Sequence, residues 1–402
     1  MATLYMAWRG VDDDQNLWWA VSHDGKRWSR QLPLSDRASF DAPALASFQN
    51  KLFMAWRGAA GHAVFTNSGD DNLWWATYDG NADLNWSDQR QLTDRGSECG
   101  PSMAVFRDQL FMAWRGVPGD QDLYWATYDE NDPRKWTDQH PLSDRASFGV
   151  PALAAFQDKL FMAWRGVEGD DNLYWATYDG NPDLQWSGQN PLTDRASAFG
   201  PALAVFQNRL YMVWRWIGGV EGDESLYWAT YDETYPLKWT NQSKMERATA
   251  DQTGTVVFGS VNRPSLAAFL NSIFVAGAGF STTTGMGAPD PGNAENLNPV
   301  GPDGGAGPLD QPDDDGGSNP PPLQPKGLFY FNFDGVIPSL PIILFPDRAS
   351  EEPVTQAVYA DIPISLKNVM LRHGFDPSKG FKEFIREFNL VRSVTLRPLV
   401  GF

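Results

Sequence analysis

One phrase is copied along the first half of this chain, and it restricts the folds open to it. Met-Ala-Trp-Arg-Gly ends at Gly10, Gly58, Gly116 and Gly166, and a fifth copy, Met212-Val213-Trp214-Arg215-Trp216, has lost its glycine. The tryptophans, Trp8, Trp56, Trp114, Trp164 and Trp214, follow one another at intervals of 48, 58, 50 and 50 residues. A period near 50 marks one supersecondary unit that gains its core by stacking on its neighbours.

Each unit reads as short strands bounded by turns. In the fourth copy these are Pro151 to Phe156, Leu160 to Arg165, Leu173 to Tyr178 and Trp186 to Leu192. All are rich in β-branched, aromatic or large apolar residues. Gln157-Asp158, Gly169 to Asn172 and Asp179 to Pro182 are turn formers. Short connections make neighbouring strands antiparallel. Four such strands in about 50 residues describe a blade of a β-propeller, and no helical periodicity runs through the repeats.

The Asp-Arg pair sets the expected count. It stands at Asp36-Arg37, Asp94-Arg95, Asp144-Arg145, Asp194-Arg195 and Asp347-Arg348, with Glu246-Arg247 in the fifth place. The expectation is therefore an all-β, six-bladed β-propeller of four-stranded antiparallel blades over residues 1–360. A diverged sixth unit carries Ile273 to Gly277 in place of the copied phrase. Its insertion, 281–325, is rich in Gly, Pro, Asp and Asn and reads as a loose loop. Ala59 to Ser68 is a smaller insertion. The chain starts on a second-strand phrase, so a distant segment must supply the missing opening strand. Pro353 to Tyr359 is the first choice as latch, and Val394 to Val400 competes with it. Residues 361–402 do not repeat and read as a tail with short helices at Leu366 to His373 and Lys379 to Leu390.

Composition narrows function. The formal net charge is −18, which repels polyanions and makes nucleic acid an unfavourable partner. No apolar run of about 18 residues suggests a membrane span. Cys99 is the only cysteine, so the chain forms no internal disulfide. No signal peptide is visible, and the expected location is cytoplasmic, or outside the cell by release without a recognisable leader. His23, His62, His140 and His373 share no ligand spacing, so no metal is expected, and no motif calls for a cofactor.

Copied surfaces give copied sites. The candidate anchors for hydroxyl or carboxylate groups are Arg9, Arg57, Arg115, Arg165 and Arg215, whose planar forks suit such ligands. The aromatic pair on the next strand puts one ring on each face, and the candidate stacking platforms are Trp19, Trp75, Trp125, Trp175 and Trp228. Asp14, Asp71, Asp122 and Asp171 in the acidic turns are candidate acceptors for sugar hydroxyls. The structural reading is that these arginines pair with acids and staple blades together. Asp-Arg reads as scaffold, because it persists where Trp-Arg-Gly is lost.

Ser22-His23-Asp24-Gly25-Lys26-Arg27-Trp28 resembles the Asp-box of the sialidase-like propeller superfamily, with one glycine displaced. Looser copies run from Thr77 to Trp86, Thr127 to Trp136, Thr177 to Trp186 and Thr230 to Trp239. In that superfamily the box is a turn scaffold away from the active site, so the resemblance implies fold, and the catalytic residues of sialidases do not map onto this chain. The near-identical units also resemble propeller lectins of the tachylectin and fungal fucose-lectin type. That likeness implies sugar binding between blades, with Arg, acidic and Trp side chains. The leading expectation is thus a multivalent lectin with glycan or glycoconjugate partners, its weak sites adding by avidity. One alternative is a glycoside-directed or other enzyme with a single site near the diverged sixth unit. Another is a scaffold or toxin component that docks, or self-associates, through its tail.

Overall fold

In the computed structural model the described residues are 3–10, 15–59, 70–81, 83–217, 225–248, 254–260 and 262–278, with strands at 281–285, 327–333, 342–346 and 391–399. The first blade holds β1 (Thr3–Gly10), β2 (Asn16–Ser22) and β3 (Leu32–Ala38). The second is β4 (Ala44–Phe48), β5 (Lys51–Arg57), β6 (Asn72–Tyr78) and β7 (Arg90–Gly96). The third is β8 (Ser102–Phe106), β9 (Gln109–Arg115), β10 (Asp122–Thr127) and β11 (His140–Ala146). The fourth is β12 (Ala152–Phe156), β13 (Lys159–Arg165), β14 (Asn172–Tyr178) and β15 (Asn190–Ala196). The fifth is β16 (Ala202–Phe206), β17 (Arg209–Arg215), β18 (Leu226–Thr230) and β19 (Ser243–Lys244).

The remaining strands are β20 (Glu246–Ala248), β21 (Gly254–Phe258), β22 (Ser265–Phe269), β23 (Ser272–Ala278), β24 (Ser281–Gly285), β25 (Gly327–Phe333), β26 (Ile342–Pro346) and β27 (Val391–Leu399). The protein is an all-β propeller of four-stranded antiparallel blades, with no helix among the described residues. The expected count of six blades is corrected to five, the blades that carry the copied phrase. The region after them is built differently. There, β20, β21 and β24 form a three-stranded sheet, while β22, β23, β25 and β26 form a four-stranded sheet without Trp-Arg-Gly. One face of this divergent sheet packs on the fifth blade, through Leu266, Ile273 and Val275. Its other face packs on the first blade, through Ala267, Phe269 and Phe274.

The missing opening strand is β27, antiparallel to β1 with Tyr5 opposite Arg397 and Ala7 opposite Thr395. The competing latch is therefore the one that pairs. Residues 353–359, the insertion core and the helices expected in the tail lie outside the described residues.

Strand chemistry explains the stacking. In β13, Leu160, Met162 and Trp164 enter a core shared with Phe111, Leu123 and Trp125 of the third blade. Phe161 and Ala163, on the opposite face, enter a core shared with Met212 and Trp214 of the fifth. Both faces are buried, so the second strand of a blade is apolar throughout instead of alternating. Two-residue turns close the first hairpins. Gln49-Asn50, Arg107-Asp108, Gln157-Asp158 and Gln207-Asn208 all have φ between 46° and 58°, the paired left-handed conformation whose twist matches a hairpin.

Asp-Arg is the blade-to-blade rivet. Arg37 donates to Ser87 O at 2.6 Å, Arg95 to Thr137 O at 2.9 Å, Arg195 to Thr240 O at 2.7 Å, and Arg145 to Ser187 O. Each acceptor belongs to the following blade. Three of these guanidiniums also lie over a tryptophan there: Arg37 over Trp56, Arg95 over Trp114 and Arg195 over Trp214.

Candidate functional site

The copied arginines do not face open grooves. Arg9, Arg57, Arg115 and Arg165 are 3–8% exposed, and Arg215 is only partly exposed. Arg57 pairs with Asp71, Arg165 with Asp171 and Arg115 with Glu98. Arg9 Nε donates to Ser39 O at 2.9 Å and Arg165 Nε to Ser197 O at 2.6 Å, at the connections into the next blade. Arg57, Arg165 and Arg215 also stack on Phe40, Phe148 and Phe199. The glycine after each arginine lets the acidic turn close over it: a Cβ on Gly58, Gly116 or Gly166 would fall 2.5–2.6 Å from an atom of Asp70, Asp120 or Asp170.

The expected platforms are interior side chains. Trp19, Trp75, Trp125 and Trp175 are 2–5% exposed. Trp175 stacks on Phe161 and meets Tyr231 and Trp239 edge-on. Trp228 is half-buried and stacks on Tyr211. The other ring of each pair ties down the acidic turn: Trp74 Nε1, Tyr124 Oη and Tyr174 Oη donate to Asp70, Asp120 and Asp170 at 2.7, 2.8 and 2.6 Å. Asp71 and Asp171 are occupied by Arg57 and Arg165. Asp122 is half-buried, and its pKa is raised by burial and by nearby Asp120 and Asp144. Asp14 lies outside the described residues. The leading expectation is thereby corrected. Among the described residues most of the repeated Arg and Trp side chains make blade contacts and turn locks, so the geometry gives repeated lectin sites between blades no support.

A cavity of about 300 Å³ gathers what the repeats do not share. It is formed where the connections into the opening strands converge. Those connections share a frame. Ser39, Ser97, Ser147, Ser197 and Ser260 are fully buried, and each is followed four residues later by Pro43, Pro101, Pro151, Pro201 or Pro264. The serine hydroxyls of the first four donate to Arg57 O, Arg115 O, Arg165 O and Arg215 O at 2.7–3.0 Å. Inside the frame the three intervening residues differ: Phe40-Asp41-Ala42, Glu98-Cys99-Gly100, Phe148-Gly149-Val150, Ala198-Phe199-Gly200 and Val261-Asn262-Arg263.

This variation puts distinct chemistry on the cavity wall. Asp41 accepts from Ala42 N at 2.7 Å and from Gly100 N of the next connection at 3.0 Å. Arg263 reaches across, giving Nε to Pro201 O at 3.1 Å and Nη2 to Pro151 O at 3.4 Å. Burial pushes the Arg263 pKa down, and the charges of Asp41 and Cys99 oppose that. Burial, aided by Asp41, pushes the Cys99 thiol up to about 12, so it is a poor nucleophile at neutral pH. Asn262 and Ser102 add polar groups, and Phe40 and Phe148, 52% and 41% exposed, stand at the rim. Among the described residues, no three His, Cys, Asp or Glu side chains gather as metal ligands, and no helix is long and apolar enough to cross a membrane. Reading the sequence for copied residues missed this site. The signal was a constant Ser–Pro frame around a tripeptide that changes in every copy.

No family model and no curated protein matches the chain. Solved structures similar to it include an α-L-arabinofuranosidase from Lactobacillus brevis, with 13% identity over 62% of this chain and 85% of that one, TM-score 0.39. An exo-β-1,3-galactanase from Phanerochaete chrysosporium matches with 12% identity over 69% and 74%, TM-score 0.42. A protein of unknown function from Dyadobacter fermentans matches with 10% identity over 67% and 80%, TM-score 0.47.

Proposed function

We propose that this chain is a glycoside-directed enzyme working at the one cavity where the blade connections meet. The observation that carries the reading is the break in symmetry. A frame copied five times holds a different residue set at each place, and each set sends at least one residue to the same cavity, among them Asp41, Cys99, Phe148, Phe199 and Arg263. A unique reaction needs such a unique set. The volume is at the small end of ligand sites. Exposed rings of Phe40 and Phe148 suit the apolar face of a sugar, and Asp41, Asn262 and Ser102 supply partners for its hydroxyls.

Hydrolysis adds water across the glycosidic bond: one carboxyl group protonates the departing oxygen, and a second draws the proton from water or attacks the sugar. We assign Asp41, the carboxylate on the cavity wall, to one of these roles. It is held in place by hydrogen bonds from Ala42 N and from Gly100 N of the next connection. The test is chromophore release from a panel of aryl glycosides. Asp41→Asn is expected to lower turnover at least about 100-fold, while Asp79→Asn on an outer turn keeps wild-type turnover. If folded protein releases no chromophore from any glycoside, the reading fails.

A further inference from the structure

We infer that the cavity takes an acidic sugar, with Arg263 receiving its carboxylate. The inference rests on the glycoside-directed reading above and specifies its substrate class. Arg263 is the residue before proline in its connection, where the other copies have Ala42, Gly100, Val150 and Gly200. Those positions leave little room. A Cβ on Gly100 would fall 2.4 Å from Ala42 O, and one on Gly200 would fall 2.0 Å from Val150 O. The one long side chain at this position therefore projects into the space that the small ones leave.

Its hydrogen-bond partners are neutral. Two carbonyl oxygens accept from Nε and Nη2. Among the described residues Arg263 has no carboxylate within 4.0 Å. The charge of Asp41 acts on it through space, and the two Asp41 oxygens accept from the backbone N–H groups of Ala42 and Gly100. The contrast with the copied arginines is direct: Arg57, Arg115 and Arg165 each close an ion pair. A half-buried guanidinium with no carboxylate in contact keeps its charge largely unpaired. A ligand carboxylate supplies the opposite charge and fits the planar fork.

A purely structural role, pinning two neighbouring connections through their carbonyls, accounts for the two hydrogen bonds. It does not account for the missing counterion. The net charge of −18 opposes an anion at long range, but beyond about 8 Å such fields are screened at physiological salt. Inside the cavity the adjacent guanidinium decides.

The experiment compares matched probes on the full chain. Aryl glucuronides and galacturonides are set against the corresponding glucosides and galactosides, and each uronide against its methyl ester. Wild type is expected to favour the acid over the neutral sugar and over the ester by about 10- to 100-fold in kcat/KM, the worth of a charged hydrogen bond. Arg263→Gln should abolish that preference, and Arg263→Lys should keep part of it. A merely structural arginine would lower both substrates together and leave their ratio unchanged. If Arg263→Gln does not fold, the acid–ester comparison in wild type decides alone. Turnover of neutral glycosides with no preference for acids overturns this inference and leaves the enzyme reading standing. Failure on every glycoside overturns both.

Discussion

Removing one rivet should loosen the ring measurably, and Arg195→Ala is the cleanest case. The guanidinium is 2% exposed. It donates to Thr240 O of the next blade at 2.7 Å, a charged hydrogen bond worth about 1.5–3 kcal/mol. It lies 5.7 Å from the ring centre of Trp214, worth up to about 2 kcal/mol when desolvated. The Asp194 pair at 3.0 Å involves a carboxylate still 43% exposed, so it adds about 0–1 kcal/mol. Against these stands Nη1, buried with no partner, whose removal returns about 1–3 kcal/mol. Taken at their central values, these terms leave a net loss of about 2 kcal/mol. Urea unfolding followed by tryptophan fluorescence reads it as a lower midpoint at constant slope, with circular dichroism confirming a single transition. Arg195→Met, which keeps the apolar stem, should lose less. Arg134 provides the comparison. It sits in an exposed cluster with Asp94, Asp132 and Asp138, and Arg134→Ala should shift the midpoint far less. Equal shifts for Arg195→Ala and Arg134→Ala would refute the claim that buried Asp-Arg arginines hold the blades together.

Gly200→Ala should destabilise by about 1–3 kcal/mol or more through overpacking, because its Cβ meets Val150 O at 2.0 Å, whereas Gly149→Ala finds its nearest neighbour at 3.8 Å; equal melting temperatures would contradict the crowding argument. Cys99, its thiol pushed up to about 12, should react with iodoacetamide at neutral pH orders of magnitude more slowly than a free cysteine; labelling at the free rate would show that the thiol is not held protonated. Asp94 has its pKa lowered, foremost by hydrogen bonds from Arg95, with Arg134 adding. A depressed carboxylate stabilises the fold above its unfolded pKa of about 3.9, and that contribution is lost as pH falls through the folded value. Asp94→Asn should therefore flatten the acid limb of the stability profile below about pH 4, and an unchanged limb would count against the pairing.

The blades were legible because they are built from local signals. Apolar runs, two-residue turns and a fixed period each act within about 50 residues, and five copies average out the noise of any one. The latch was not legible, because β27 differs from the copied opening strands. Val391 to Leu399 carries Arg392 and Arg397 where the others read Ala-Leu-Ala, so no motif distinguished it from 353–359. The candidate site failed for another reason. Trp-Arg-Gly looked like ligand chemistry, since Arg165 does meet Asp171 beside the strand that carries Trp175. What sequence could not show is that the glycine admits the acidic turn, the turn neutralises the arginine, and the neighbouring blade covers the ring.

Repetition itself explains why the site is where it is. A residue that joins one blade to the next must satisfy the same geometry at each interface, so the packing code is copied along with the blade: Arg37, Arg95, Arg145 and Arg195 bind equivalent carbonyls. The connections near the cavity carry two demands at once. Their buried serines and prolines fix the path of the chain and are held constant. Of the three residues between them, Phe40, Phe148 and Phe199 stack on Arg57, Arg165 and Arg215 and Glu98 pairs with Arg115, while Asp41, Cys99 and Arg263 have no counterpart in the other copies. Divergence there yields Asp41 in one copy, Cys99 in another and Arg263 in a third, all brought to one cavity by a frame that does not vary. In a ring of duplicated blades, chemistry is therefore sought where the copies disagree inside a constant frame, and stability where they agree.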